Sequence, residues 1–414
     1  MKKMLLFAIF TVPFGAQIFS VDIGGVKMSL FRMTIIFTLF AFLCTNARGK
    51  RKFIIFNDNT KYSVLFMLIW FAYAIFSIFW CADLSNYIRV LFFLFIGVIS
   101  IILLLNYFKT TDDIVAGFQA FALGISVQSL IGWYEIFTRD YRFIEYTEHN
   151  IRQYIDSPQR IPIAATGNPN NFATLMFFGV FCAYLCATYT KTGKLKRIIN
   201  YSLSANFCIL LVMTTSRACI LGFLFSLAIL LFVLKKGKWV ILLFGCAVAL
   251  FIPNIIDFIS EQLKFNFDID YNSEAIRVNL LQNGLVFLGD TLGFGVGNGQ
   301  IEYWMSHNAE YQTGGITNMH NWWMEILTSY GIGIFIGYLI FYCRLFFDNY
   351  RNIKKSIQAE NRVISLNIVA IMAGFIIASM SSSSNMTNEW TWVFWAMCIA
   401  YQRMIKRSKG LVKQ

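Results

Sequence analysis

The sequence predicts an all-α integral membrane protein of about twelve transmembrane helices, with a large helical loop outside the membrane. Three observations carry this expectation. Of the 414 residues, 57% are hydrophobic and 14% charged, and the mean hydropathy of +0.58 is far above that of a soluble domain. The apolar residues gather into stretches long enough to cross a hydrocarbon core of about 30 Å. The connections between those stretches alternate in charge.

In chain order the apolar stretches are 4–20, 28–44, 62–82, 90–107, 114–137, 172–190, 199–214, 218–234, 239–259, 322–343, 363–381 and 388–404. The first begins MKKMLLFAIF, which has the basic start and apolar centre of a signal peptide. No clear A-x-A site follows, and the charge alternation closes with this stretch included, so it reads as a retained first helix. All of residues 1–414 then form one polytopic domain. The phenylalanines, 43 in number, suit a lipid-facing surface or a groove for a lipid tail equally well.

A net charge of +13 would point to nucleic acid in a soluble protein. Here its position is what matters. The connections 1–3, 45–61, 108–113, 191–198, 235–238 and 348–362, with the tail from 403, hold 24 of the 35 basic residues and five of the 22 acids. Basic residues stay on the cytoplasmic side, so both termini are expected there, and no nucleic-acid partner is needed. The nine cysteines all lie in or at the end of apolar stretches, where they read as small packing residues, neither disulfides nor metal ligands.

Two connections on the opposite side are too long to be simple turns: 138–171 and 260–321. The second sets only Lys264 and Arg277 against seven acids. All three histidines, His149, His307 and His320, fall in these loops. The apolar stretches, in contrast, keep Glu135, Asp257 and Glu325 near their ends, with Gln119 and Gln128 the most polar side chains inside the fifth. A transporter or exporter normally keeps ionisable groups at mid-membrane, so that class is the weaker one.

Several short stretches bear on chemistry. MTTSRACILGF, 213–223, puts Arg217 in a tight outer hairpin; it reads as an arginine snorkelling to headgroups or as a fork for phosphate. SEAIRVNLLQNGLVFLG, 273–289, is an amphipathic helix with Ile276, Leu280, Leu281 and Leu285 near one face. Its Arg277 is either salt-bridged to Glu274 or turned toward the site of Arg217. TLGFGVGNGQ, 291–300, lacks the strand and Lys-Ser/Thr pair of a phosphate loop and reads as a turn allowing close backbone approach. FDID, 267–270, is a weak metal motif, and no metal is expected. In TNMHNWWMEIL, 317–327, Asn321 is a natural N-cap. The positive end of the helix it opens favours a neutral His320, suited to general-base work. The bland reading is a loop histidine beside an interfacial belt made by Trp322 and Trp323.

Taken together, TTSRA before a membrane helix, ATGNPNNFA before an earlier one, the Arg-bearing loop helix, GFGVGNG, MHNWWMEIL and YGIGIFIGYLIF resemble the O-antigen ligase and O-antigen polymerase superfamily. The resemblance runs from about Gly167 to about Phe346. It implies a GT-C type glycosyltransferase architecture and inverting, cofactor-free glycosyl transfer on the outer face of the bacterial cytoplasmic membrane. The donor it implies is an undecaprenyl-pyrophosphate-linked glycan, and the acceptor a sugar hydroxyl. Its products would be capsule, O-antigen or teichuronic-acid-like chains. A ligase would instead pass the finished glycan to lipid A core, protein or cell wall. A flippase or exporter is the alternative from another class. The further partners implied are the bilayer, a chain-length regulator and a flippase. By resemblance His320 is the catalytic base, and Arg217 and Arg277 clamp the pyrophosphate. Asn321, Arg160, Asn168 and Asn170 are substrate-binding candidates without assigned roles.

Overall fold

The computed structural model describes residues 1–23, 26–47, 56, 60–143, 160–239 and 273–411. His149, Lys264, the FDID stretch and, beyond Trp239, the apolar stretch 239–259 lie outside the described residues. The described chain is a bundle of helices: α1 (Lys2–Thr11), α2 (Leu30–Ala47), α3 (Lys61–Phe76), α4 (Leu84–Tyr107), α5 (Thr111–Thr138), α6 (Pro169–Thr188), α7 (Lys194–Met213), α8 (Arg217–Val233), α9 (Ser273–Asp290), α10 (Ile301–His307), α11 (Trp322–Lys355), α12 (Ala359–Ala378) and α13 (Glu389–Leu411). Among the described residues, eight spans (α2, α3 with the turn that follows it, α4 to α7, α11 and α12) are long and apolar enough to cross a membrane, while the apolar α8 is slightly shorter. The protein is thus an all-α, multi-pass membrane protein. Among the described residues, the one departure is a two-stranded antiparallel hairpin, β1 (Ser20–Ile23) with β2 (Val26–Ser29).

That hairpin belongs to a correction. The expected first span, 4–20, is not one helix. α1 has 10 residues, which is about 15 Å and half a hydrocarbon core. It stops because Pro13 and Gly15, the latter at φ +61°, break the pattern. Lys2 pairs with Asp113 at the start of α5, 2.7 Å apart, and Gln128, well along α5, donates to the carbonyl of Pro13. A Cβ at Gly124 would sit 2.1 Å from the Phe10 carbonyl oxygen, so α1 lies directly on the α5 backbone. A 3₁₀ turn (Val12–Phe14) and then the hairpin follow α1. Arg32 at the start of α2 then pairs with Glu389 at the start of α13, 2.8 Å apart and both buried.

Helix starts follow local side-chain chemistry. Asp83 caps α4 by accepting from Asn86 N, and Thr110 with Asp113 forms a capping box at α5. The centre of the bundle is aromatic. Trp70 of α3 packs on Trp322, Tyr330 and Tyr338 of α11 and on Trp392 of α13, at centroid distances of 5.5–6.3 Å. Trp322 also donates to the Tyr338 hydroxyl. This overturns the belt reading for Trp322, which is 1% exposed. Trp323 is only part-buried and donates to the Ile376 carbonyl.

The glycine-rich turn 291–300 binds backbone, as its sequence suggested. Gly293, Gly295, Gly297 and Gly299 all have positive φ. Val296 N and Gly297 N donate to the carbonyls of Thr328 and Ser329 on α11, and Ile332 N donates to that of Gly293. α11 is kinked at this contact, where Gly331 has φ +75°. Beyond it, Asn298 donates to the Tyr87 carbonyl and Gln300 receives the amides of Ala82 and Asp83. The turn therefore clasps the α3–α4 connection to α11.

Candidate active site

Three helices begin at one polar centre. α6 starts with Asn168 as N-cap, accepting from Asn170 N at 2.8 Å, and Pro169 in the first turn. α8 starts at Ser216, whose hydroxyl donates to Asn170 Oδ1 at 2.7 Å. α11 starts at Asn321, which accepts from Trp323 N and Met324 N at 3.0 and 3.2 Å. The N-cap expected of Asn321 is therefore present.

A serine-rich loop between α12 and α13, SSSSN at 381–385, ties the three starts together. Asn171 of α6 exchanges hydrogen bonds with Ser383 at 3.0 and 3.2 Å. Ser382 lies 3.0 Å from Thr174 Oγ1, and Cys219 of α8 is 3.7 Å from Ser381 Oγ. Trp322 N donates to the Ser379 carbonyl. On α11, Glu325 is buried and receives the Ser384 hydroxyl and the Asn385 amide. These contacts went unseen in the sequence. The loop stands about 60 residues from His320 and holds no titratable side chain to draw attention.

His320 sits immediately before this α11 start, at φ +49°, a backbone region that costs a non-glycine residue about 1–2 kcal/mol. Its imidazole is half-buried, with Nδ1 buried and unpartnered. Burial lowers its pKa below 6.5, the nearby Arg277 guanidinium lowers it further, and a hydrogen bond with the Ser381 backbone pulls the other way. The ring is thus held neutral at physiological pH.

Arg277 is exposed on α9 and within electrostatic reach of His320. α9 reaches this place by packing Ile276, Leu280 and Phe287 into a small separate core with Val296, Ile301, Met305 and Met319. Leu285, expected on that apolar face, is instead 56% exposed. The spacing 276, 280, 287 follows the helical period, and 285 falls off it. A Cβ at Gly284 would meet Met319 at 2.8 Å, so α9 lies close against the segment that carries His320.

Arg217, exposed, is the first residue of α8; its helix reaches His320 through the shared contact with Ser381. Arg160 stands apart. Its guanidinium donates to the Ile136 carbonyl near the end of α5, beside Glu135, which accepts from the amides of Ile163 and Ala164. That is a helix-end tie leading into the 3₁₀ turn (Ala164–Thr166) before Asn168. His307 is exposed and stacks on Tyr303 at 4.2 Å. Among the described residues no cluster of His, Cys, Asp and Glu has the make-up of a metal site.

Each helix N-terminus carries roughly half a positive charge and turns unpaired amides outward. Three of them with two arginines make a centre fit for a large anion, next to a neutral imidazole. Fold and site together define a multi-pass membrane protein whose polar centre lies where its helices start. Residues 203–342 match the O-antigen ligase family; that stretch contains Arg217, Arg277, His320 and Asn321, but not Arg160, Asn168 or Asn170. Over 366 residues the chain is 27% identical to the teichuronic acid biosynthesis protein TuaE of Bacillus subtilis (strain 168), covering 85% of this chain and 74% of that protein. Both matches agree with the resemblance to the O-antigen ligase and polymerase superfamily read from the sequence, the family match over about a third of the chain and the relative over most of it.

Proposed function

We propose that the protein is a glycosyltransferase that joins undecaprenyl-pyrophosphate-linked oligosaccharide repeat units into a surface polysaccharide, on the outer face of the cytoplasmic membrane. The observation that carries this reading is the convergence of α6, α8 and α11 at their N-termini around His320. His320 takes the proton from an acceptor hydroxyl. That oxygen attacks the anomeric carbon of the donor as the bond from this carbon to the pyrophosphate oxygen breaks, with inversion. Charge grows on the leaving pyrophosphate, and Arg217, Arg277 and the helix N-termini stabilise it without calling on a divalent metal. Asn168 and Asn321 act here as caps that fix the starts of α6 and α11, and Asn170 ties α6 to the Ser216 hydroxyl at the start of α8. A bilayer-embedded donor accounts for a site built at the membrane end of a helical bundle. The positive-inside pattern supports this end lying outside, with both termini in the cytoplasm.

Polymerase is preferred to ligase because the relative TuaE is named for biosynthesis of a polymer. A chain-length regulator and a flippase supplying donor are the partners such a polymerase would need.

Replacing His320 with Ala in the native host, followed by analysis of lipid-linked and surface glycan, tests the proposal. Single repeat units are expected to accumulate on the lipid carrier. Long lipid-linked chains without attachment would move the assignment to ligase, and normal long surface chains would overturn the catalytic role.

A further inference from the structure

A second polar cavity adjoins the site and is not used by the chemistry above. It lies between the first turns of α4, the start of α10 and the serine-rich loop; Asn86, Arg89, Glu302, Asn318, Ser383 and Ser384 are among its lining residues. About 40 Å³ of it is open to water-sized groups, room for the hydroxyl edge of a larger ligand but not for a whole sugar ring. Tyr330, Met319 and Met386 supply its apolar wall.

Two features tie this cavity to the base. Met319, which lines it, directly precedes His320. Ser383, also lining it, is two residues from Ser381, whose backbone bonds the His320 ring. Two residues of chain reach about 7 Å at most. The cavity therefore opens within about one monosaccharide of the imidazole.

Its polar groups are arranged for hydroxyls. Asn86 is 8% exposed; its amide nitrogen donates to the Gly299 carbonyl at 2.6 Å and approaches Glu302 Oε2 at 3.4 Å. Its Oδ1, in contrast, is buried without a partner. Glu302 offers a carboxylate acceptor and Arg89 a donor fork, 3.5 Å apart and both substantially exposed. Acceptor, donor and carboxylate beside an apolar wall are the groups that bind one edge of a sugar ring, with its C–H face against Met319 and Tyr330.

We infer that this cavity is the anchoring part of the acceptor-sugar subsite, taking the hydroxyl edge of the terminal sugar of the growing or incoming glycan so that a neighbouring hydroxyl of that sugar meets His320. The inference rests on the glycosyltransferase reading and adds to it which residues select the acceptor. Donor and acceptor sites are then walled by one loop. Ser381 and Ser382 contact α8 and α6, while Ser383 and Ser384 touch both the helix starts and the cavity.

The test measures binding to the full-length protein in lipid nanodiscs with two probes. One is an oligosaccharide cut from the host's own surface polysaccharide, carrying neither lipid nor phosphate; the other is inorganic pyrophosphate. The wild type is expected to bind both. Asn86→Ala and Glu302→Gln are expected to weaken the oligosaccharide about fivefold or more, as loss of a net hydrogen bond would, and to leave pyrophosphate unchanged. Arg217→Ala is expected to do the reverse. Glu302 and Arg89 are exposed, so Glu302→Gln and Arg89→Gln report without the risk of unfolding that Asn86→Ala carries. Wild-type oligosaccharide affinity in all three cavity variants, or no oligosaccharide binding by the wild type, overturns the subsite. Lost pyrophosphate binding by the wild type overturns the underlying function instead, so the two failures are told apart.

Discussion

The charge beside His320 sets when the ring is a base. Arg277 is the second cause, after burial, of its lowered pKa. The acid limb of the transfer rate against pH is therefore expected below 6.5, with activity falling as the ring protonates. Arg277→Gln removes one lowering influence, so its acid limb is expected to move up toward 6.5 in addition to any loss of rate from weaker donor binding. An acid limb at the wild-type position in that variant would show that Arg277 does not act on the ring. The stability sign follows from the same shift. The native ring holds a proton less readily than the unfolded one, so this group leaves stability untouched above 6.5 and lowers it as pH falls through 6.5 toward the native value. At this scale the sequence was readable where chemistry is rare. Three histidines in the outer loops, Arg277 in the acidic one and Arg217 in a short outer hairpin stood out by type. Glu325 and Ser381 did not, because a helix-end glutamate and a serine run acquire meaning only through partners about 60 residues away.

Among the elements, the glycine-rich turn decides where α11 and the α3–α4 connection sit relative to each other. A Cβ at Gly295 would lie 2.5 Å from Gly331 N and 2.8 Å from the Ser329 carbonyl oxygen, at φ +85°. Gly295→Ala thus combines backbone strain with a collision that neither partner backbone can relieve, and is expected to cost at least about 2 kcal/mol. Gly333→Ala, two residues past the kink with nothing within 4 Å, is expected to be neutral or slightly stabilising. Thermal unfolding of both variants in detergent checks this; equal melting temperatures would mean that the turn does not hold α11. The four spaced glycines signalled close backbone approach, but nothing in the sequence named α11 as the partner. The broken first helix was legible after all: VPFG inside an apolar run is punctuation. Overall hydropathy hid it.

Seen whole, the molecule has two unlike ends. At one, Asp112 binds Tyr189 and Lys191 while Thr190 reaches Glu360; at the other lie the helix starts, the glycine-rich turn and the serine-rich loop. In a cysteine-free background, Asn308→Cys is expected to react with a membrane-impermeant maleimide in intact spheroplasts. Lys191→Cys and Ile357→Cys are expected to react only after permeabilisation. The opposite pattern would invert the topology and put the site in the cytoplasm. Composition and charge alternation were enough to recognise a multi-pass membrane bundle, because burial in lipid is paid for in hydrophobicity at every turn. They were not enough to count its crossings, because a pattern of apolar residues does not reveal whether the backbone beneath it is one helix or a helix, a turn and a hairpin.

The short α1 bears on how the chain is assembled. A helix of 10 residues spans too little of the bilayer to be held there by its own transfer energy. What holds it, Asp113 and Gln128 on α5, is 111 and 115 residues further along. α2, the helix that follows it, packs along the same α1, so one side of the α1 seat comes from a near neighbour in sequence and the other only when α5 joins them.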